Sequence, residues 1–173
     1  MPEQLKPGVS PSDHTRGARN PQLEIVEYGD FQCLYCGAAE PIVEEILEQF
    51  GTAVSVTFRN FPLRDTHPEA YDAALAAEAA AKQGKYWEMH DRIFAIQDTL
   101  NAQHLIQIAS DLGLDMTRFR NDQQSPEVLQ KIENDFESGA RSGVNGTPTF
   151  FVDGIRFDGA ATDLYVMISE NAS

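Results

Sequence analysis

The stretch DFQCLYCGAAEP holds both cysteines of the chain, Cys33 and Cys36. A C-x-x-C spacing sets two thiols about one helical turn apart, close enough to form a disulfide. An apolar strand segment precedes the pair and a helical pattern follows it, so Cys33 falls at a helix start. Unpaired backbone N–H groups carry partial positive charge there and favour a thiolate. Thiolates in such positions have pKa values of about 3.5 to 7.5, against about 8.5 for a free thiol. A stable thiolate is also a good leaving group, so a disulfide through Cys33 is readily attacked. Cys36, one turn further in, would attack a mixed disulfide on Cys33 and release the partner. Three plainer readings compete: a structural bridge, half of a zinc site, or two unrelated core thiols. A reducing compartment tends to open a merely structural bridge. Zinc asks for four ligands, and there is no second CxxC; His14, His67, His90 and His104 offer no ligand pair at suitable spacing.

The elements that must position the thiols follow from pattern. Leu23 to Tyr28 is a strand segment. After the cysteines, Ile42, Val43, Ile46, Leu47 and Phe50 recur at helical spacing until Gly51, and Val54, Val56 and Phe58 alternate as a second strand. The middle is helical. Thr66 and Glu69 have capping-box spacing ahead of an alanine-rich run to Gly84, and Tyr86 to Gln97 forms another helix. Asn101 and Asp115 cap two more, and Ser125-Pro126 opens a long one. Thr149 to Val152, Asp153-Gly154 and Ile155 to Phe157 spell a β-hairpin. A last helix carries Leu164, Met167 and Ile168. The polar, proline-bearing residues 1–20 read as an extended arm.

The bulk numbers narrow the function classes. A chain of 173 residues fits one domain and can bury a core without staples. Thirteen basic and 27 acidic residues give a net charge of −14, which disfavours nucleic acid and anionic membranes as partners. No segment is long and apolar enough to span a bilayer. The first residues show no apolar signal-peptide core; with Met1 as the natural start, a cytoplasmic protein is expected.

A second feature is Gly146-Thr147-Pro148-Thr149, directly before the TFFV strand. Proline at a strand's first residue cannot donate to the ladder. It is either an ordinary trans turn proline or a cis proline whose loop presents the Thr147 backbone to an extended substrate.

Taken in order, EYGDFQCLYC, QGKYWEMHDRIF and GVNGTPTFFVDG resemble the thioredoxin superfamily. The closer resemblance is to DsbA-like thiol–disulfide oxidoreductases, in the branch that includes cytoplasmic DsbA-like proteins and the thioredoxin-like domain fused to some sodium/proton antiporters. The resemblance covers nearly all of residues 20 to 170. It implies an α/β fold with a thioredoxin-like core at 21–63 and 126–173 and a helical insertion at 64–125.

It also implies roles. Cys33 matches the exposed nucleophile, Cys36 the resolving cysteine, Pro148 the cis-proline, and Thr147 the residue before it, which touches substrate and tunes redox behaviour. Pro41 matches a helix-kinking proline. Glu27, six residues before Cys33, matches a buried acid that accepts the Cys36 proton; its plain alternative is a surface residue on an edge or bent strand. Leu34 and Tyr35 are the redox-tuning pair. Tyr35 stands where strongly oxidising relatives carry histidine, so a less oxidising couple is expected. His67 reads as a helix cap rather than a residue of the active-site rim, Trp87 as core, and His90 as a satisfied structural histidine.

The expected activity is disulfide exchange with protein or small-molecule substrates. It needs a disulfide or dithiol substrate, a redox-recycling partner, and no cofactor or metal. The alternatives are a redox-sensing or chaperone-like peptide-binding module, which would not need Cys36, and a dithiol metal carrier.

Overall fold

A computed structural model describes residues 1–171. Residues 172 and 173, the end of the expected second core segment, lie outside the described residues. A five-stranded sheet runs β1-β3-β2-β4-β5. β1 is His14–Gly17, β2 Leu23–Gly29, β3 Val54–Asn60, β4 Thr149–Val152 and β5 Ile155–Phe157. Only β2 and β3 pair in parallel; β1 joins β3, and β4 joins β2 and β5, antiparallel. The central strands are buried on both faces, as a covered parallel pair must be.

The period of two along β2 sorts its side chains. Ile25 packs with Val43 and Ile46 of helix α1 (Leu34–Phe50) and with Leu164 and Ile168 of α7 (Ala161–Asn171). Val26 and Tyr28 point the other way, into a cluster with Phe61, Phe151 and Phe136 of α6 (Pro126–Arg141). Glu27 shares the Ile25 face and therefore lies beneath α1. Its cross-strand neighbours are Phe58 and Phe150. The surface alternative for Glu27 is thereby overturned: β2 is the middle strand, and the side chain is 1% exposed.

Between β3 and α6 lies the helical block: α2 (Ala70–Ala81), α3 (Tyr86–Ala95), α4 (Ala102–Asp111) and α5 (Met116–Asp122). α2 is buried nearly all round, and its alanines let neighbouring helices approach closely. Asn101, Asp115 and Ser125 cap their helices as expected, each accepting a backbone N–H three residues on. The capping box at Thr66 and Glu69 does not form. Thr66 sits in a turn closed on the Leu63 carbonyl, and α2 begins only at Ala70 with no side-chain cap. The Asp153-Gly154 turn has positive φ at both residues, as a two-residue hairpin of this type requires.

The largest difference from the sequence reading lies in residues 1–20. Rather than standing as an arm, they supply the edge strand β1, and Leu5 is buried. The buried Arg59 guanidinium ties this segment down. It donates to both Asp13 carboxylate oxygens and to the carbonyls of Pro7 and Gly8. Those bonds join residues about 50 apart in sequence, and HTRG has no apolar alternation, so no local pattern announces the strand. Among the described residues, no helix is long and apolar enough to cross a membrane.

Candidate active site

Cys33 is the N-cap of α1, with extended backbone at φ −71° and ψ 122°. Its own side chain makes no capping bond, but the backbone N–H groups of Tyr35 and Cys36 at the helix start help lower its pKa. Cys36 lies one turn in and is fully buried. Both thiols are free. The Thr147–Pro148 bond is cis, and the Thr147 carbonyl lies 3.5 Å from Cys33 Sγ, accepting from the thiol. Cys33, Cys36, Thr147 and Pro148 thus meet at one point above Glu27. Leu34 and Tyr35 flank it in solvent, 70% and 77% exposed. Beside them runs a groove of about 450 Å³, lined by Tyr35, Ala38, Ile42, Thr147, Pro148 and Ala160.

The electrostatics separate the two thiols. The Cys33 thiol is lowered to about 5. A hydrogen bond from the Cys36 side chain contributes most, the Thr147 side chain and the Cys36 and Tyr35 backbone add to it, and burial opposes them. The Cys36 thiol is pushed far up, by burial first, then by its bond to Cys33 and the nearby charge of Glu27. Glu27 rises to about 8: burial raises it, Arg16 pulls it down, and charge on Cys33 adds to the rise. The Thr147 hydroxyl is buried without a partner while Cys33 is a thiol; it is poised to donate once the thiolate forms. Thr147→Val keeps the shape and removes that donor. It is expected to raise the Cys33 pKa by about one unit, read from thiolate ultraviolet absorbance against pH.

Two residues that shape this loop went unread in the sequence. Asp30 is buried, and its Oδ1 accepts from the Gln32 and Cys33 backbone N–H groups. Its Oδ2 accepts from Leu63 N and pairs with His67 Nδ1 at 2.8 Å. His67 therefore sits on the active-site loop's anchor and is not a helix cap. The Asp30–Gln32 bond is that of an Asx turn, a legible local signal. Gln97, from the 3-10 turn after α3, donates to the Phe31 and Cys33 carbonyls at 2.9 and 2.7 Å. Gly37 leaves room for it; a Cβ there would collide with the Gln97 carboxamide. Trp87 packs partly buried against the helical core, with the Arg16 guanidinium 4.2 Å from its ring centre. His90 is buried and half satisfied: Nδ1 pairs with Asp91, while Nε2 has no partner.

The fold and this site define a thioredoxin-fold protein with the architecture of thiol–disulfide oxidoreductases. The family described as thioredoxin matches residues 9–165, and the chain belongs to that family. Over 147 residues, 85% of the chain, it is 48% identical to a Na(+)/H(+) antiporter, NhaA 3, of Salinispora tropica. That match covers 22% of the antiporter, so the chain spans about a quarter of the length of the curated relatives it matches. Among solved structures it resembles a thioredoxin-like oxidoreductase from Silicibacter pomeroyi, with 27% identity, TM-score 0.81 and 95% of each chain covered. It shares its fold with oxidised BdbD from Bacillus subtilis, with 18% identity, TM-score 0.82 and coverage of 99% of this chain and 96% of that one.

Proposed function

We propose that the protein exchanges disulfides with protein or small-molecule substrates through Cys33 and Cys36. The Cys33 thiolate attacks a substrate disulfide and forms a mixed disulfide, and one substrate sulfur leaves as thiolate. Cys36 loses its proton to Glu27, attacks Cys33 Sγ and forms the Cys33–Cys36 disulfide as the second substrate sulfur leaves. A separate dithiol or disulfide partner resets the pair, and the same steps run in reverse oxidise a dithiol substrate. An extended substrate segment would lie along the groove and pair with the Thr147 backbone beside Pro148. Leu34 and Tyr35, exposed at its mouth, would contact it and tune the couple.

The observation that supports this reading best is the asymmetry of the two thiols. Both are buried, Cys33 at 5% exposed rather than open to solvent as expected. Cys33 at the helix start nevertheless has its pKa lowered to about 5, whereas Cys36, one turn in above an acid, has its own pushed far up. A merely structural bridge has no use for that difference. The test is a thiolate absorbance titration together with insulin reduction and oxidative refolding assays. A titration midpoint near 5 with catalysis in at least one direction is expected. A midpoint near the free-thiol value with no catalysis in either direction would overturn the proposal.

A further inference from the structure

Glu27 can serve repeated turnovers only if its proton leaves, and Glu27 is buried. Glu40 stands four residues after Cys36 on the same face of α1, one turn deeper, and is also buried. Across from it on α3, His90 Nε2 lies 3.8 Å from Glu40 Oε1. Neither atom has a hydrogen-bond partner, and neither does Glu27 Oε2. The other ring nitrogen, His90 Nδ1, is 2.8 Å from Asp91 Oδ1, and the Asp91 side chain is 38% exposed.

Glu40, His90 and Asp91 make a line from beneath α1 to solvent, and Glu27, whose charge raises Glu40, is buried in the sheet under the same helix. We propose that Glu40, His90 and Asp91 carry the proton of Cys36 from Glu27 to water. The proposal rests on Glu27 acting as the proton acceptor. His90 donates through Nδ1 to Asp91, which leaves Nε2 as an acceptor facing Glu40. A proton on Glu40 joins the two unpartnered atoms, through a small rotation or one bridging water. Passing it to Nε2 while Nδ1 releases its own to Asp91 moves one proton outward and leaves the ring neutral. The reverse passage refills Glu27.

The surrounding charges suit this use. Arg16 of β1 is 3.1 Å from Asp91 and 4.0 Å from Glu40, lying over Trp87. Its single charge cannot neutralise Glu27, Glu40 and Asp91 together, so the two buried glutamates hold a proton between them. Burial, Glu27, Asp91 and Glu44 all raise Glu40, and Arg16 alone lowers it. Burial, Arg16 and His14 lower His90, to about 4, while Asp91 raises it, so the ring relays a proton without storing one. Glu78 of α2 is held by His14 at 2.8 Å, and the Tyr86 hydroxyl stays protonated by burial. The donor atoms of Glu40, His90 and Asp91 lie within 4.8 Å of one another, as a metal site would require. The Arg16 guanidinium already fills the cation position there.

The test uses the reduced protein and oxidised glutathione in weak buffer at neutral pH. Rapid acid quench and mass spectrometry give the resolution rate of the Cys33–glutathione adduct. Alkylation of Cys33 by iodoacetamide, which moves no proton through Glu27, is the reference. In His90→Gln the ratio of resolution to alkylation is expected to fall about tenfold and to recover as buffer concentration rises. Asp91→Asn, at a partly exposed site, should fall in the same direction with the same recovery, and decides the matter if His90→Gln does not fold. Wild-type ratios in the folded variants, or slowing that buffer does not relieve, would overturn the relay. So would a wild-type resolution rate that changes with EDTA, because the cluster would then hold metal. A Glu27→Gln variant separates the two readings. If it resolves at the wild-type rate, Glu27 is not the acceptor; if it alone is slow, only the relay falls.

Discussion

Cys33→Ser is expected to reduce insulin at the uncatalysed rate, a loss on the order of 10³-fold or more, while Cys36→Ser accumulates substrate on Cys33. The difference follows from position. Cys33 Sγ carries the thiolate at the helix start, and serine there has no accessible anion at neutral pH. Cys36 is buried beneath it, so its loss leaves attack intact and removes only release. Serine at 36 keeps a hydroxyl that can donate to Cys33, the contact that lowers its pKa most. Cys36→Ala lacks that donor, and its Cys33 should titrate higher than in Cys36→Ser. Non-reducing electrophoresis and mass spectrometry of Cys36→Ser with a disulfide-bonded protein would show a covalent adduct cleared by dithiothreitol. An adduct on Cys36 of the Cys33→Ser variant, and none in the reverse case, would exchange the two roles.

Glu27→Gln should make the reduced protein more stable while slowing resolution. Glu27 has a folded pKa near 8, against an ordinary value of 4.5. Between those values the folded state holds a proton that the unfolded state has released, so this carboxyl destabilises the fold increasingly as pH rises. Cys33 acts oppositely. Its folded pKa of about 5 lies below the ordinary 9.0, so its stabilisation is fully present above about 9 and is lost as pH falls through about 5. In the wild type the two slopes oppose each other across roughly pH 5 to 8; Glu27→Gln removes the Glu27 slope and leaves those of Cys33 and of the other buried groups such as Glu40. The stability difference, variant minus wild type, should be near zero below pH 4.5. It should then climb by about 1.4 kcal/mol per pH unit and level off above pH 8, reaching about 3 kcal/mol at pH 7. Urea unfolding of both proteins in dithiothreitol across this range gives the curve. A flat difference would mean that Glu27 is already ionised in the fold.

How much of this was legible depends on how far apart the partners lie in the chain. Cys33, Cys36 and the DG hairpin are local signals, and the structure keeps them where pattern put them. Thr147 and Pro148 became meaningful only through resemblance, since 114 residues separate Thr147 from the thiol that it touches. Glu27 was readable by its offset from Cys33, but its burial follows from β2 being the middle strand, which no single segment states. Arg16 and Gln97 carried no signal at all. Arg16 meets Asp91 across 75 residues, and Gln97 meets Phe31 across 66. The Thr66–Glu69 spacing misled because Leu63 and His67 are drawn to Asp30, a competitor outside the local window. The same carboxylate draws His67 away from its helix start.

The Gln97 carboxamide has a mechanical consequence. Its two N–H bonds grip the carbonyls on either side of Gln32, so the first turn of α1 is hooked to the helical block as well as to the sheet. Thr147 stands on the opposite bank, at the foot of β4. A load that displaces the block pulls Cys33 along the hook while Thr147 stays with the strand, and the sulfur moves out of reach of the Thr147 hydroxyl, one of the donors that lower its pKa. Part of the acidity of Cys33 is therefore geared to the seating of the helical block, through Gln97, 64 residues further along the chain. A ligand that wedges the block off the sheet would blunt the thiolate without touching either sulfur.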